Sequence, residues 1–210
     1  MSGRASKRDI AIGAGCIALA IGSYELLNHI GRSHLIDIST PLDQQIPLIP
    51  VFVIPYLSFI PLVFLMVPWM AVKSRDVFRA YGLSVLIAQM VLNVLYLLVP
   101  ATVPRPELTS NDVFSTVLRD LVWQADQPIN TFPSNHVALS VIAIFVLARL
   151  PYARRVVLPL QLWLGLVCLS TLFVHQHIIW DVLSGIAIGA VTFMLVSRRG
   201  RARGTVTSRQ

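Results

Sequence analysis

The stretch Ile178-Ile179-Trp180-Asp181-Val182-Leu183-Ser184-Gly185-Ile186-Ala187-Ile188-Gly189-Ala190-Val191-Thr192-Phe193-Met194-Leu195-Val196 runs straight into Ser197-Arg198-Arg199-Gly200-Arg201-Ala202-Arg203. About twenty apolar residues suffice to cross the hydrocarbon core as a helix. Arginines packed against one end mark the side on which that end stays. Five similar stretches precede it, at Ile10–Ile30, Val51–Val72, Val77–Val99, Pro133–Leu150 and Val156–Val174. The expected fold is therefore an all-α integral membrane protein, a six-transmembrane-helix bundle forming one domain over residues 1–210. Pro50, Pro55, Pro61 and Pro68 should kink the second span without ending it, since neighbouring helices can satisfy the freed backbone groups.

Composition agrees. The chain has 210 residues, of which 55% are hydrophobic and 13% charged, and its mean hydropathy is +0.71. A soluble domain carries about 25% charged residues, and a disordered chain is less apolar still. The net charge of +7 could suggest nucleic acid, but its placement says otherwise. With the N-terminus inside, segments 1–9, 73–79, 149–155 and 197–210 hold 14 of the 17 Lys and Arg residues. Only Arg32, Arg105 and Arg119 fall outside, whereas eight of the ten acids do. This is the positive-inside pattern. It puts both termini in the cytoplasm of a cell whose plasma (cytoplasmic) membrane the chain crosses, and it excludes a nucleic-acid footprint. Arg4, Lys7 and Arg8 also resemble the start of a signal peptide, but the apolar run continues well past Cys16, so the first span is read as a retained helix. Cys16 and Cys168 lie in separate spans and are read as small buried hydrophobes.

The outer segment, about 100–132, carries the polar chemistry. Pro100 to Glu107 is Pro-rich and extended, and it holds Arg105 near the membrane surface, where the plain reading is an interfacial arginine paired with a lipid phosphate. From Asp112 to Ala125 an apolar face at Val113, Phe114, Val117, Leu118, Leu121 and Val122 predicts a short interfacial helix. Ser110 or Asn111 should cap it, and Trp123 suits the interface. The helix either packs over the bundle or serves as a lid or ramp for lipid. Ser134 is placed to cap the fourth span, leaving backbone N–H groups beyond it as an anion site within reach of His136.

His177 and Asp181 stand at i and i+4 and share a helix face. A carboxylate on one imidazole nitrogen fixes the tautomer and raises the basicity of the other. That suits a nucleophilic histidine. A structural His–Asp pair is the plain alternative. A metal site on His175, His177 and Asp181 is disfavoured, because residues 175 and 177 point to different sides of a helix.

Three blocks in this order resemble the type 2 phosphatidic acid phosphatase superfamily: Val103-Pro104-Arg105-Pro106, Pro133-Ser134-Asn135-His136, and Ser170-Thr171 followed by His177 and Asp181. The resemblance implies that His177 is the nucleophile, that Asp181 orients it and that His136 protonates the leaving oxygen. It implies that Arg105, Ser134, Asn135 and Thr171 bind phosphate, with no metal and no cofactor. Leu98, Asn135 and Thr171 replace the family's usual Lys, Gly and Arg. That thinning, with Asn130-x-Phe132-Pro133, is similar to the inositol phosphorylceramide and sphingomyelin synthase branch.

The expected activity is hydrolysis of a lipid phosphate monoester or diphosphate, of the phosphatidic acid or prenyl diphosphate type, at the extracytoplasmic face through phosphohistidine. A lipid head-group phosphotransferase is the alternative, and a non-catalytic scaffold or transporter the further one. The expected partners are a lipid phosphate substrate and membrane lipids.

Overall fold

The computed structural model describes residues 5–30, 34–150, 152 and 154–207. Arg4, Arg32 and Arg209, which enter the charge count, lie outside the described residues. In chain order the elements are α1 (Lys7–Asn28), β1 (Ile36–Asp37), α2 (Val53–Lys73), α3 (Arg75–Leu98), β2 (Ala101–Thr102), α4 (Val113–Val117), a π turn (Leu118–Val122), α5 (Trp123–Ala125), α6 (Asn135–Leu147), α7 (Arg154–Phe173) and α8 (Ile179–Thr207). β1 and β2 form one short parallel pair. The other elements are helical, and two 3-10 turns, Asp43–Gln45 and Pro50–Phe52, precede α2.

Each apolar stretch read from the sequence contains one helix. Four of them, Lys7–Asn28, Arg75–Leu98, Arg154–Phe173 and the Ile179–Arg198 part of α8, are long and apolar enough to cross a membrane. This fits an all-α membrane protein. α2 remains one helix through Pro55, Pro61 and Pro68. Its Ser58 hydroxyl donates to Pro55 O at 2.7 Å and accepts Trp163 Nε1–H from α7 at 2.8 Å.

α6 is shorter than expected. Its 13 residues span roughly 20 Å, less than a lone crossing helix needs. It is sheathed by α3, α7 and α8, and Val137, Ala138, Ile142, Ala143, Val146 and Leu147 are fully buried. A helix apolar on every side is stable only when surrounded in this way.

Small residues set how closely the helices pack. A Cβ added at Gly185 would stand 2.7 Å from Ser134 O, and one at Gly189 2.4 Å from Ala138 O. α8 therefore lies directly on the backbone of α6, as Gly-x-x-x-Gly stripes allow. Gly82 of α3 meets Gly13 of α1 in the same manner. Asn93 of α3 donates to Ser23 Oγ of α1 at 2.9 Å and accepts from Gln89 at 2.8 Å. At the far end of this pair, buried Asp9 binds Arg75 Nε at 2.7 Å and also Arg79.

The outer segment differs from its expected form in two ways. Its N-cap is Asp112, not Ser110 or Asn111: the carboxylate accepts from Phe114 N at 2.9 Å and Ser115 N at 3.1 Å, while Ser110 Oγ donates to it. The hydroxyls of Ser115 and Ser110 and these N–H groups pull the Asp112 carboxyl down to about 2. The apolar face is also divided. Leu118 and Val122 pack on Val53, Tyr56 and Val174, whereas Val113, Phe114 and Leu121 stay exposed. The face is wider than the strip of bundle beneath it, so one edge covers the core and the other turns outward.

Candidate active site

The N-termini of α2, α6 and α8 and the C-termini of α1, α3 and α7 meet at one end of the bundle. Tyr96 at the end of α3 donates to Pro133 O at 2.9 Å. Asn130 Nδ2 donates to Asn28 Oδ1, at the end of α1, at 2.6 Å. Ser134 caps α6, accepting Val137 N–H on its hydroxyl at 3.3 Å. Its own N–H donates to Asp181 O at 3.0 Å. The start of α6 is thereby tied to the first turn of α8.

α7 ends at a reversal built on His175, whose φ is +50°. His175 N donates to Leu172 O and Gln176 N to Thr171 O, each at 3.0 Å. This is the Schellman pattern, usually completed by Gly. A side chain in the left-handed region costs roughly 1–2 kcal/mol. Here the ring offsets part of that cost by donating Nε2–H to Ile46 O at 3.2 Å. Burial lowers the His175 pKa below its usual value, against the raising effect of that bond. His177 N also donates to Thr171 O, at 3.1 Å. The reversal brings Gln176 and His177 into one cleft, while His175 faces Ile46. Among the described residues, no group of three His, Cys, Asp or Glu is placed to hold a metal.

His177 Nδ1–H donates to Asp181 Oδ2 at 3.1 Å, within a pair whose Asp is fully buried. A carboxylate only accepts, so in the neutral ring the proton sits on Nδ1 and Nε2 is the open nitrogen. The same Asp181 oxygen accepts Ile178 N–H at 3.1 Å, which fixes the carboxylate on the backbone as well as on the ring. The His136 ring centre lies 6.0 Å from that of His177. His136 is held by stacking on Tyr56 at 4.6 Å and by a tilted contact with Phe59 at 4.7 Å.

Arg105 reaches this cluster from the Pro-rich segment. Its guanidinium donates to Trp123 O at 2.8 Å, Asp126 O at 2.6 Å and Gln176 Oε1, and lies 5.5 Å over the Trp123 ring. Its Nε–H is buried without a partner among the described residues. Burial lowers the Arg105 pKa and Asp126 opposes that shift; an Arg stays charged throughout. Arg119, by contrast, is spent on Leu108 O, Ser110 O and Asp120.

The remaining expected phosphate ligands are placed differently from one another. Asn135 lines the cleft, together with His136, His177, Asp126, Asn130 and Thr131. The N–H groups of Asn135 and His136 have no partner among the described residues, as the first donors of a helix ordinarily lack one. Ser134 and Thr171 do not line it. The Ser134 hydroxyl caps α6, and the Thr171 hydroxyl, fully buried, donates to Cys168 O at 2.8 Å. Both serve the backbone because each sits at a helix end whose own groups claim it.

Three residues at this end were missed by the sequence reading. Gln176, buried, bridges Arg105 and the Asp126 carboxylate. Tyr56 donates its hydroxyl to that carboxylate at 2.8 Å. Asp43, from the loop after α1, accepts Ile179 N–H at 2.8 Å and so caps α8 from outside the helix. Gln176 stood between two histidines, and that adjacency was a usable signal. Nothing in the sequence joins Asp43 to a helix 136 residues later.

Burial would raise the Asp43 pKa, but the N–H of Ile179 and the hydroxyl and N–H of Thr40 outweigh it and the pKa falls. A carboxyl with a lowered folded pKa stabilises the fold above its unfolded pKa, about 4. That contribution is lost as pH falls through the folded value. The melting temperature of wild type should therefore drop more steeply below pH 4 than that of Asp43→Asn. Parallel acid limbs would exclude this role.

The sequence profile of the PAP2 superfamily matches residues 78–204. No curated protein matches the chain, and no solved structure matches it. Members of the superfamily are phosphatases or phosphotransferases. The matched region runs from α3 to α8 and includes Arg105, His136, His177 and Asp181. On this match the chain belongs to the PAP2 superfamily.

Proposed function

We propose that the protein is a membrane lipid phosphatase acting on a lipid phosphate monoester or diphosphate through a phosphohistidine on His177. The observation that carries this reading is the Asp181-oriented His177 ring, 6.0 Å from the His136 ring, in one cleft. His177 Nε2 attacks phosphorus. The bond from phosphorus to the leaving oxygen breaks, and His136 supplies the proton that oxygen needs. The Nε–H of Arg105 and the first N–H groups of α6 hold the equatorial oxygens, on which charge builds in phosphoryl transfer. Water then takes the phosphoryl group. Ser134 and Thr171 support this site by fixing the ends of α6 and α7.

In this reading the chain is a single domain that crosses the cytoplasmic membrane six times. Both termini are inside and the site faces outward. The Lys and Arg distribution supports that orientation. The exposed Val113, Phe114 and Leu121 dip into the outer leaflet.

A head-group phosphotransferase is the second reading, favoured by the hydrogen-bond acceptors that line the cleft beside the histidines. A non-catalytic scaffold would have no use for an Asp-oriented imidazole facing a second histidine.

The test is a panel of phosphatidic acid, prenyl diphosphates and phospholipid-plus-alcohol pairs given to the purified protein, with products identified by mass spectrometry. Release of inorganic phosphate is the expected result. A transferred head group without phosphate release would establish the second reading, and no turnover of any member would remove both.

A further inference from the structure

The cleft beside His136 and His177 is small. Its free volume is about 10 Å³, close to what a single water requires. Three buried side-chain oxygens of residues that line it have no hydrogen-bond partner among the described residues: Asn130 Oδ1, Thr131 Oγ1 and Asn135 Oδ1. Asn130 and Thr131 are more than nine-tenths buried. The Asn130 amide nitrogen donates to Asn28 Oδ1, and its amide oxygen is the atom left open. Buried acceptors left unpaired are costly, by about 1–3 kcal/mol each, and a water satisfies two to four such groups at once. The Asp126 carboxylate on the same wall adds negative charge. These groups suit a small ligand whose O–H can donate to the amide oxygens and whose oxygen can accept from the Thr131 hydroxyl.

We propose that Asn130, Thr131 and Asn135 form a subsite for the O–H-bearing second reactant, which is water in hydrolysis or an alcohol in transfer. The proposal rests on the phosphohistidine reading. In the step it serves, the bound oxygen attacks phosphorus. The new O–P bond forms as the P–N bond breaks, the electron pair of that bond returns to His177 Nε2, and the O–H proton passes to His136, left neutral by the first half-reaction. Thr131 is a positioning residue in this scheme: its hydroxyl donates to the incoming oxygen and aims it.

The test uses the full chain in detergent and compares wild type with Thr131→Val, which keeps the side-chain shape, and Thr131→Ser, which keeps the hydroxyl. With ³²P-labelled lipid phosphate, Thr131→Val should form the phosphoenzyme at the wild-type rate and lose it about tenfold more slowly, with Thr131→Ser restoring the rate. Slowing in water alone assigns the subsite to water, and slowing only with added glycerol or inositol assigns it to the alcohol. A parallel arm reads binding of glycerol to unreacted protein by saturation-transfer NMR, where Thr131→Val should weaken the signal and Thr131→Ser keep it. If wild type forms no phosphoenzyme, the catalytic reading fails and the subsite is judged on the glycerol arm alone. Equal behaviour of Thr131→Val and wild type in every arm that gives a wild-type signal, or no wild-type signal in either arm, overturns the proposal.

Discussion

His177→Ala is expected to lower turnover by about 10⁴-fold or more, as loss of a nucleophile does when the rest of the site remains. The expectation follows from how little else the ring does. It makes one side-chain hydrogen bond, to Asp181, and lies at a loop-to-helix junction outside the main apolar clusters. Its removal should leave the melting temperature nearly unchanged while abolishing acid-labile phosphate on the protein. Asp181→Asn should be milder for chemistry and worse for the fold. Asp181 fixes the His177 tautomer and accepts Ile178 N–H on the same oxygen; an amide oxygen can accept both bonds, but its NH2 would place two unmatched donors where the buried Oδ1 now stands. The measurement is phosphate release with quantified phosphoenzyme, alongside thermal unfolding in the same detergent. Wild-type turnover by His177→Ala would remove the mechanism, whatever the substrate.

Gly189→Ala should have the second-largest effect, although it lies about three helical turns from His177. Its new Cβ would stand 2.4 Å from Ala138 O and 3.1 Å from Val141 Cβ. The first of these neighbours is backbone and cannot rotate away, so α8 must back off from α6. Overpacking of this kind costs about 1–3 kcal/mol. The chemical consequence is larger, because α6 carries His136 and α8 carries Asp181. A misplacement of about 1 Å between reacting groups can cost 10²-fold in rate. Gly189→Ala should therefore lose both melting temperature and about two orders of magnitude in turnover. Gly15→Ala is the control, since a Cβ there meets nothing within 4 Å and alanine favours the helix by about 1 kcal/mol. If Gly189→Ala and Gly15→Ala behave alike, the close approach of α6 and α8 does not govern the site.

Residues 177, 181, 185 and 189 follow one another at a spacing of four, so His177, the Asp181 carboxylate bonded to it and both contact glycines lie along one stripe of α8 and its lead-in. The His–Asp part of that stripe was legible, because i and i+4 on a helix share a face whatever the fold. The glycine part was printed in the same sequence and went unread, since a small residue gains meaning only from the surface that presses on it. The outer segment shows the same limit. Its apolar face was visible, yet only contact with Val53, Tyr56 and Val174 shows which edge is buried.

By itself the sequence determined what depends on neighbours along the chain. It set the apolar lengths of the helices, the charges at their ends, the Ser134 cap and the His177–Asp181 pair, all of which follow from the 3.6-residue turn and the cost of burying charge. Only the tertiary structure decided what depends on groups distant in sequence. Thr171 serves the backbone of α7 rather than the cleft. Gln176 joins Arg105 to Asp126, and Asp43 caps a helix it does not belong to. Asn130 and Thr131 line the cleft of His136 and His177 with side-chain oxygens that have no partner among the described residues. The physical reason is that a buried polar group takes whichever partner packing brings within hydrogen-bond reach, and at this end of the bundle those partners come from six different helices and the loops between them.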